Sequence, residues 1–131
     1  MEYDLQYPQE ILADIRENRN WADYDKFFGA FVFDYNTYSE YCTRYELEQA
    51  FGDESKNYVV IAKSNGGWYT NLEVSDIAIE ADTCTVKVNA EGYGITTGDI
   101  CGYVLQIPCD TTVQKVVFID NYHTDDKGGE G

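Results

Sequence analysis

The sequence predicts an α+β fold: two helices in the N-terminal part and a mostly antiparallel sheet, or partial barrel, of five to six strands. Three observations support this. The chain has 131 residues, of which 44% are hydrophobic, which suits one domain with its own core. Apolar residues recur with helical spacing in two segments before about residue 51. From residue 57 onward they mostly alternate with polar residues, as in strands.

The first helix is expected in the segment YPQEILADIREN. Pro8 suits a first helical turn, because the amide that proline lacks would be unpaired there in any case. Ile11, Leu12 and Ile15 have the spacing of one apolar stripe. The segment DKFFGAFVFDY, at 25–35, predicts a strand because it is rich in aromatic and β-branched residues.

The second helix is expected over residues 38–51. Thr37 and Glu40 have the spacing of a capping box, in which each side chain accepts a hydrogen bond from the other residue's backbone amide. Gly52 is typical of the position just after a helix. One face of this helix would carry Tyr38, Tyr41, Cys42 and Tyr45.

Five strands with short turns are expected after residue 56, as an antiparallel meander. Their predicted bounds are 57–63, 72–81, 82–90, 100–109 and 113–120. In the second of these strands the apolar parity slips at Ser75–Asp76, which predicts a β-bulge. The third and fourth are expected to pair as a hairpin, with Gly92–Asp99 as its exposed loop.

That glycine-rich loop has a superficial likeness to a phosphate-binding loop. In phosphate-binding loops a helix follows the glycines, and its N-terminus receives the anion. Here Gly98 is followed by Asp99, whose carboxylate would repel phosphate, and then by a strand. The stretch therefore predicts a turn and no nucleotide site.

Four cysteines occur without a Cys-x-x-Cys pair, so the spacing of a zinc ribbon or a thioredoxin-like site is absent. Cys84, Cys101 and Cys109 share the inward parity of their strands, and free core thiols are the first expectation. A Cys84–Cys109 disulfide is the second. A zinc site comes third, because structural zinc sites usually have closely spaced ligand pairs.

The chain is strongly acidic, with 24 Asp and Glu against 9 Lys and Arg and a net charge of −15. Direct binding to nucleic acid or to an anionic membrane is not expected, because both need clustered bases. Residues 1–122 form the expected single domain, and 123–131 are expected to be a flexible acidic and Gly-rich tail. No segment has the length and hydrophobicity for membrane insertion, and a monomer is expected.

No catalytic constellation stands out. His123 is the only histidine and falls in the expected tail, so a nucleophile activated by histidine is not predicted. We expect no enzyme activity, cofactor or metal.

The residue types in excess are those of protein interfaces. Twelve tyrosines and two tryptophans accompany the acids. Trp68 and Tyr69, in a loop after two glycines, are the aromatic candidates for binding another protein. The acidic candidates are Glu40, Glu46, Glu48, Asp53 and Glu54.

From about Tyr35 to Ile119 the chain resembles the PrcB-like domain of bacterial lipoproteins. The resemblance lies in the order of the segments TYSEY, NYVVIA, SNGG, VSDIAIEADTCTVKV, GITTGDICGYVLQI and VQKVVF. It implies a non-enzymatic domain on the cell surface that binds or stabilises a partner protein. It transfers no catalytic residues.

Two readings of function and two compartments stay open. The alternative function is a small acidic inhibitor or immunity protein, of the phage or mobile-element type, that mimics nucleic acid and blocks a basic nucleic-acid-binding surface of its partner. The expected location is the cell surface or outside the cell if an export leader was removed, and the cytoplasm otherwise.

Overall fold

The computed structural model describes residues 2–18, 26–65, 69–93, 101–110 and 112–125. Its elements in chain order are β1 (Asp4–Gln6), α1 (Gln9–Asn18), β2 (Gly29–Phe33), α2 (Tyr35–Arg44), β3 (Asn57–Asn65), β4 (Tyr69–Glu80), β5 (Thr83–Tyr93), β6 (Cys101–Cys109) and β7 (Lys115–Asp125). The predicted α+β class, with its helices in the N-terminal part, is confirmed.

The strands form two sheets rather than one. The first sheet has the strand order β1-β6-β3-β2, with every neighbouring pair antiparallel. The second sheet has the order β4-β5-β7; β4 and β5 are antiparallel, whereas β5 and β7 are parallel. The predicted meander is therefore wrong, although most pairs are antiparallel.

The first sheet is the middle layer of the molecule. One of its faces packs against the second sheet, in a core of Val59, Ile61, Cys84, Val86, Val88, Tyr103, Leu105, Ile107, Cys109 and Val113. Its other face packs against the helices, in a core of Ile11, Leu12, Phe27, Tyr38, Tyr41, Cys42, Tyr45, Tyr58, Val60, Ala62 and Val104. Burial on both faces explains why β3 carries an unbroken apolar run, which is the pattern of an interior strand.

The predicted hairpin between strands 82–90 and 100–109 does not form. β5 lies in the second sheet and β6 in the first, so these two strands do not pair. Gly92 and Tyr93, assigned to the loop, belong to β5, and residues 94–100 lie outside the described part. Residues 102–109 of β6 are all buried, whereas buried residues alternate with more exposed ones along β5. Of these two strands, β6 is therefore the one that suits the middle layer.

α2 begins and ends earlier than the sequence predicts. Asp34 caps it in place of Thr37: its Oδ1 accepts a hydrogen bond of 2.8 Å from the Thr37 amide, which also lowers the pKa of the carboxyl. At the other end Glu46 has a left-handed φ of 54°. The amides of Glu46 and Leu47 then bond back to the Thr43 and Cys42 carbonyls, which closes the helix before residue 51.

The remaining boundary predictions have mixed outcomes. The register of β4 shifts between Val74 and Asp76, which confirms the predicted bulge. β1 was not predicted, since three residues carry too little periodicity to detect. The predicted strand over 25–35 is shorter, as Gly29–Phe33. β7 continues through His123–Asp125, which the sequence assigned to the tail, because this segment pairs with the end of β5.

A buried polar network holds the chain that follows α2 against the first sheet. Gln106 on β6 is fully buried, and its Oε1 accepts from the Tyr38 hydroxyl and from the Ala50 amide. Its Nε2 donates to the Glu48 carbonyl at 2.9 Å, and the Phe51 amide donates to the Tyr38 oxygen at 3.2 Å. A buried amide satisfied on both ends fixes an otherwise irregular segment.

Asp120 on β7 provides a pH-dependent prediction. Its side chain is 15% exposed, and its Oδ2 lies 3.9 Å from Lys63 Nζ, a weak pairing because the lysine is 45% exposed. Its Oδ1 is buried and has no hydrogen-bond partner among the described residues. Loss of solvation raises the pKa of this carboxyl, an effect that Lys63 only partly offsets.

A raised folded-state pKa means that the charged form opposes folding. The neutral carboxyl of Asp120 therefore contributes stability at pH values below its unfolded-state pKa of about 3.9. This contribution is lost as the pH rises through the higher pKa of the folded state. We expect Asp120→Asn to raise the free energy of unfolding by about 1 kcal/mol at pH 7 and to have no effect near pH 3. Chemical unfolding across pH measures this, with exposed Asp76→Asn as the charge-matched control. A variant less stable than the wild type at pH 7 would contradict it.

Candidate functional site

An open groove of about 540 Å³ lies between α2 and β2. Its apolar walls are Phe31 and Phe33 from β2, Tyr41 from α2, and Tyr45, the C-cap residue of α2. We call it the aromatic groove. Its position follows from the local periods: the two phenylalanines are two residues apart on a strand, and the two tyrosines are four apart on a helix, so each pair shares one face.

The groove walls are rigid and uncharged. The Phe31 and Phe33 rings stack with centroids 5.2 Å apart, and the Tyr41 ring lies 5.3 Å from Phe33 and 5.0 Å from Tyr45. The Tyr41 hydroxyl donates to the Phe27 carbonyl at 2.5 Å. Burial raises the pKa of Tyr41, so the phenol stays neutral. The Tyr41 ring is therefore held in one orientation, with its polar atom turned away from any ligand.

Gly29 is required beneath the groove. It has a φ of +151°, and a Cβ there would lie 2.9 Å from Phe31 Cζ. The Phe31 ring thus packs directly over the glycine backbone, in a conformation that other residues rarely adopt. Gly29 thereby sets the position of one wall.

The strand that supplies two walls lies at the edge of its sheet. β2 is terminal in the first sheet and pairs only with β3 among the described residues. An edge strand of this kind presents backbone amides and carbonyls that can pair with another strand. An extended segment that joined this edge would run directly beside the aromatic groove.

Among the described residues, four polar ones also line the groove: Lys26, Thr37, Glu40 and Arg44. The Arg44 guanidinium carbon lies 5.5 Å from the centroid of the Tyr45 ring, which is cation–π distance. Glu40 and Arg44 are one helical turn apart on α2. The described part of the rim therefore carries two cations and one carboxylate.

The five acids proposed as partner-binding residues are all exposed. Glu40 alone among them lines the aromatic groove. Glu46 borders a smaller cleft beside Tyr7 and Glu10. Asp53 is engaged locally, since its Oδ1 accepts from the Ser55 amide at 2.9 Å and hydroxyl at 2.6 Å. The acids therefore stand on separate parts of the surface around α2 and the segment that follows it.

The predicted aromatic candidates, Trp68 and Tyr69, come in the chain just before β4 and at its start, respectively. Trp68 lies outside the described residues. Tyr69 is the first residue of β4 and pairs with Gly92, but its side chain also lies outside the described part. Their role in binding stays a prediction.

Cys84 and Cys109 meet across the two sheets. Both are buried free thiols, on β5 and β6, in the core between the two sheets, and the Cys109 Sγ donates to the Ile107 carbonyl at 3.8 Å. The interaction between the two thiols lowers the pKa of Cys84 and raises the pKa of Cys109, and burial raises the pKa of both. Cys42 is a free thiol in the helix-side core, beyond the first sheet. The two thiols are neighbours through sandwich packing, not through the predicted hairpin.

If the protein is oxidised, we expect the disulfide to join Cys84 to Cys109, because these thiols are in contact while Cys42 is on the other side of a sheet. Incubation with a small-molecule disulfide would transfer two electrons from the thiol pair and release two reduced thiols and the bridged protein. Thiol counting in denaturant, with peptide mapping, identifies the bridge. By closing the loop between residues 84 and 109, the disulfide should raise the free energy of unfolding by about 3 kcal/mol. A bridge from Cys42 to either residue would contradict this packing.

Sequence reasoning missed the aromatic groove, although it identified both contributing segments. The strand with alternating phenylalanines and the tyrosine face of the helix were each noted. One signal could have indicated the groove: β2 and α2 are separated by Asp34 alone. With so short a connection, α2 turns back over β2. The sequence predicts only that these tyrosines share one helix face, and in the structure that face contributes to the helix-side core.

Comparison with models of known protein families, with curated proteins and with solved structures gave no match. Among the described residues, no three His, Cys, Asp or Glu side chains are grouped so as to hold a metal ion. None of the helices in the described ranges is long and apolar enough to cross a membrane.

Proposed function

We propose that this chain is a non-catalytic protein-binding module, and that it docks an extended segment of a partner protein along β2 and the aromatic groove. The observation that carries the proposal is the combination of a strand edge that pairs with no described strand and an open aromatic groove formed partly by the same strand. Strand addition supplies backbone hydrogen bonds, and an adjacent pocket for side chains supplies specificity.

The energetics favour such a mode. Aromatic side chains in well-packed pockets carry much of the binding energy of protein interfaces, about 2 kcal/mol or more at the strongest positions. The groove walls are already ordered by ring stacking and by the Tyr41 hydrogen bond, so little entropy is lost when a partner binds. The resemblance to PrcB-like domains implies the same class of function.

A second candidate function is acidic mimicry of nucleic acid. The observation that favours it is exposure: nine acids are exposed among the described side chains of the first 56 residues. They are Glu2, Glu10, Glu17, Asp34, Glu40, Glu46, Glu48, Asp53 and Glu54. Such an array could replace phosphates on a basic protein surface.

Selection of peptides from a random displayed library separates the two functions. Docking at the aromatic groove should enrich apolar segments whose affinity changes less than about threefold between roughly 0.05 M and 0.5 M salt, since desolvated aromatic contacts are weakly screened. Acidic mimicry should enrich Lys- and Arg-rich peptides that lose about tenfold or more over that range. The double substitution Glu46→Gln and Glu48→Gln should weaken the binding of the Lys- and Arg-rich peptides and leave that of the apolar peptides unchanged. Failure to enrich any peptide that binds at the groove would overturn the main proposal.

A further inference from the structure

We infer that the aromatic groove selects a segment in which a carboxylate lies beside a bulky apolar side chain. This inference rests on the proposed function and names the chemistry of the partner. The bulky group would occupy the space between the phenylalanines of β2 and the tyrosines of α2, and the carboxylate would meet Lys26 and Arg44 at the rim.

The placement of positive charge supports this. The described side chains of the first 56 residues include two exposed bases, Lys26 and Arg44, against nine exposed acids. Both bases line the aromatic groove. The described residues of the groove therefore carry a net positive charge, opposite in sign to the net charge of −15 of the whole chain.

The two cations differ in how they could act. The guanidinium of Arg44 is placed over the Tyr45 ring, at the edge of the apolar wall, where it can meet a carboxylate beside a buried apolar group. Lys26 is exposed and makes no ion pair with a described residue. Among the described residues that line the groove, Glu40 is the only carboxylate, and together with Lys26 and Arg44 it gives this part of the rim a net positive charge.

Apolar burial and ionic contact support each other in such a site. Excluding water from a carboxylate strengthens its attraction to nearby cations, and charge-assisted hydrogen bonds are roughly twice as strong as neutral ones. Glu40 adds to the selectivity, because its carboxylate would repel a ligand carboxylate that approached α2 too closely. The groove thus combines a shape requirement with a charge requirement.

The carboxylate could come from an internal Asp or Glu or from the C-terminus of a partner chain. The chemistry is the same, so small probes distinguish the sources. N-acetylphenylalanine carries a terminal carboxylate, and N-acetylphenylalaninamide is its neutral control. Blocked Phe-Asp and Phe-Asn dipeptides carry, respectively, a side-chain carboxylate and its neutral analogue.

Two-dimensional NMR titration of the labelled protein measures all four probes. We expect both neutral probes to shift the amides of β2 and α2 with weak affinity, and at least one carboxylate probe to bind about three- to tenfold more tightly. Tighter binding of N-acetylphenylalanine identifies a C-terminus as the source, and tighter binding of the Phe-Asp dipeptide identifies an internal acid.

Variants assign the preference to the rim. Lys26→Gln and Arg44→Gln should each weaken the preferred carboxylate probe by about threefold and leave the neutral probe within about twofold. Lys87→Gln, which removes an exposed base from the second sheet, should leave the affinities for both probes unchanged.

The outcomes separate this inference from the proposed function. Equal binding of charged and neutral probes at the groove would overturn the carboxylate preference while leaving the docking function intact. A preference unchanged in both rim variants would also overturn it. Absence of any shift on β2 and α2 with all four probes would overturn the docking function as well.

Discussion

Replacing Tyr38 by alanine is expected to lower the free energy of unfolding by about 3–5 kcal/mol, among the largest effects of any single substitution in this chain. The ring is fully buried and stacks on Tyr58 with centroids 4.1 Å apart. Its hydroxyl also donates to Gln106 and accepts from the Phe51 amide. The substitution would therefore open a cavity in the helix-side core and disrupt the polar network together.

Tyr38→Phe separates these two effects. It keeps the ring and removes only the hydroxyl, so it should cost about 1–2 kcal/mol, since Gln106 still receives the Ala50 amide. Tyr3→Ala is the matched control, because Tyr3 is 44% exposed and should change stability by less than about 0.5 kcal/mol. Chemical denaturation gives all three values. A loss below about 1 kcal/mol for Tyr38→Ala would show that the helix layer does not pack as described.

Replacing Phe33 by alanine is expected to weaken binding of a groove-directed peptide by about 2 kcal/mol, or roughly thirtyfold. Phe33 forms one wall, in contact with Phe31 and Tyr41, and it is only partly buried. Its loss would remove ligand contacts while the fully buried residues of the helix-side core stay in place. Isothermal titration calorimetry measures the change in affinity.

Two controls make this result specific. Thermal unfolding should show that Phe33→Ala remains folded at the temperature of the assay. Tyr3→Ala removes an exposed aromatic ring outside the groove and should leave affinity within about twofold of the wild type. Equal affinity of Phe33→Ala and wild type for a selected peptide would place the binding surface elsewhere.

The sequence predicts the local elements well because their signals are local. α1 has an apolar stripe and a proline at its start, and the bulge in β4 is visible as a parity slip. The error in α2 has an equally local cause. Asp34 offered a capping carboxylate before the predicted capping box, and Glu46 adopted a left-handed conformation that the sequence gives no reason to expect.

Strand pairing was less predictable, because pairing partners are distant in sequence. Adjacent strands with complementary apolar faces suggested a β5–β6 hairpin, but β6 pairs with β1 and β3. Gly102–Cys109 are buried on both faces, which is a property of the middle layer and not of a hairpin in an outer sheet. The aromatic groove depends on the same tertiary placement, since it forms only where α2 turns back over β2.

Hydrogen exchange of the β2 amides in a saturated peptide complex tests the docking proposal most directly. In the free protein, the amides of Gly29–Phe33 that do not bond to β3 should exchange quickly, because the outer edge pairs with no described strand. On binding, these amides should become protected while those of the outer-sheet strand β4 keep their rates. Unchanged exchange along β2 at saturation would contradict docking by strand addition.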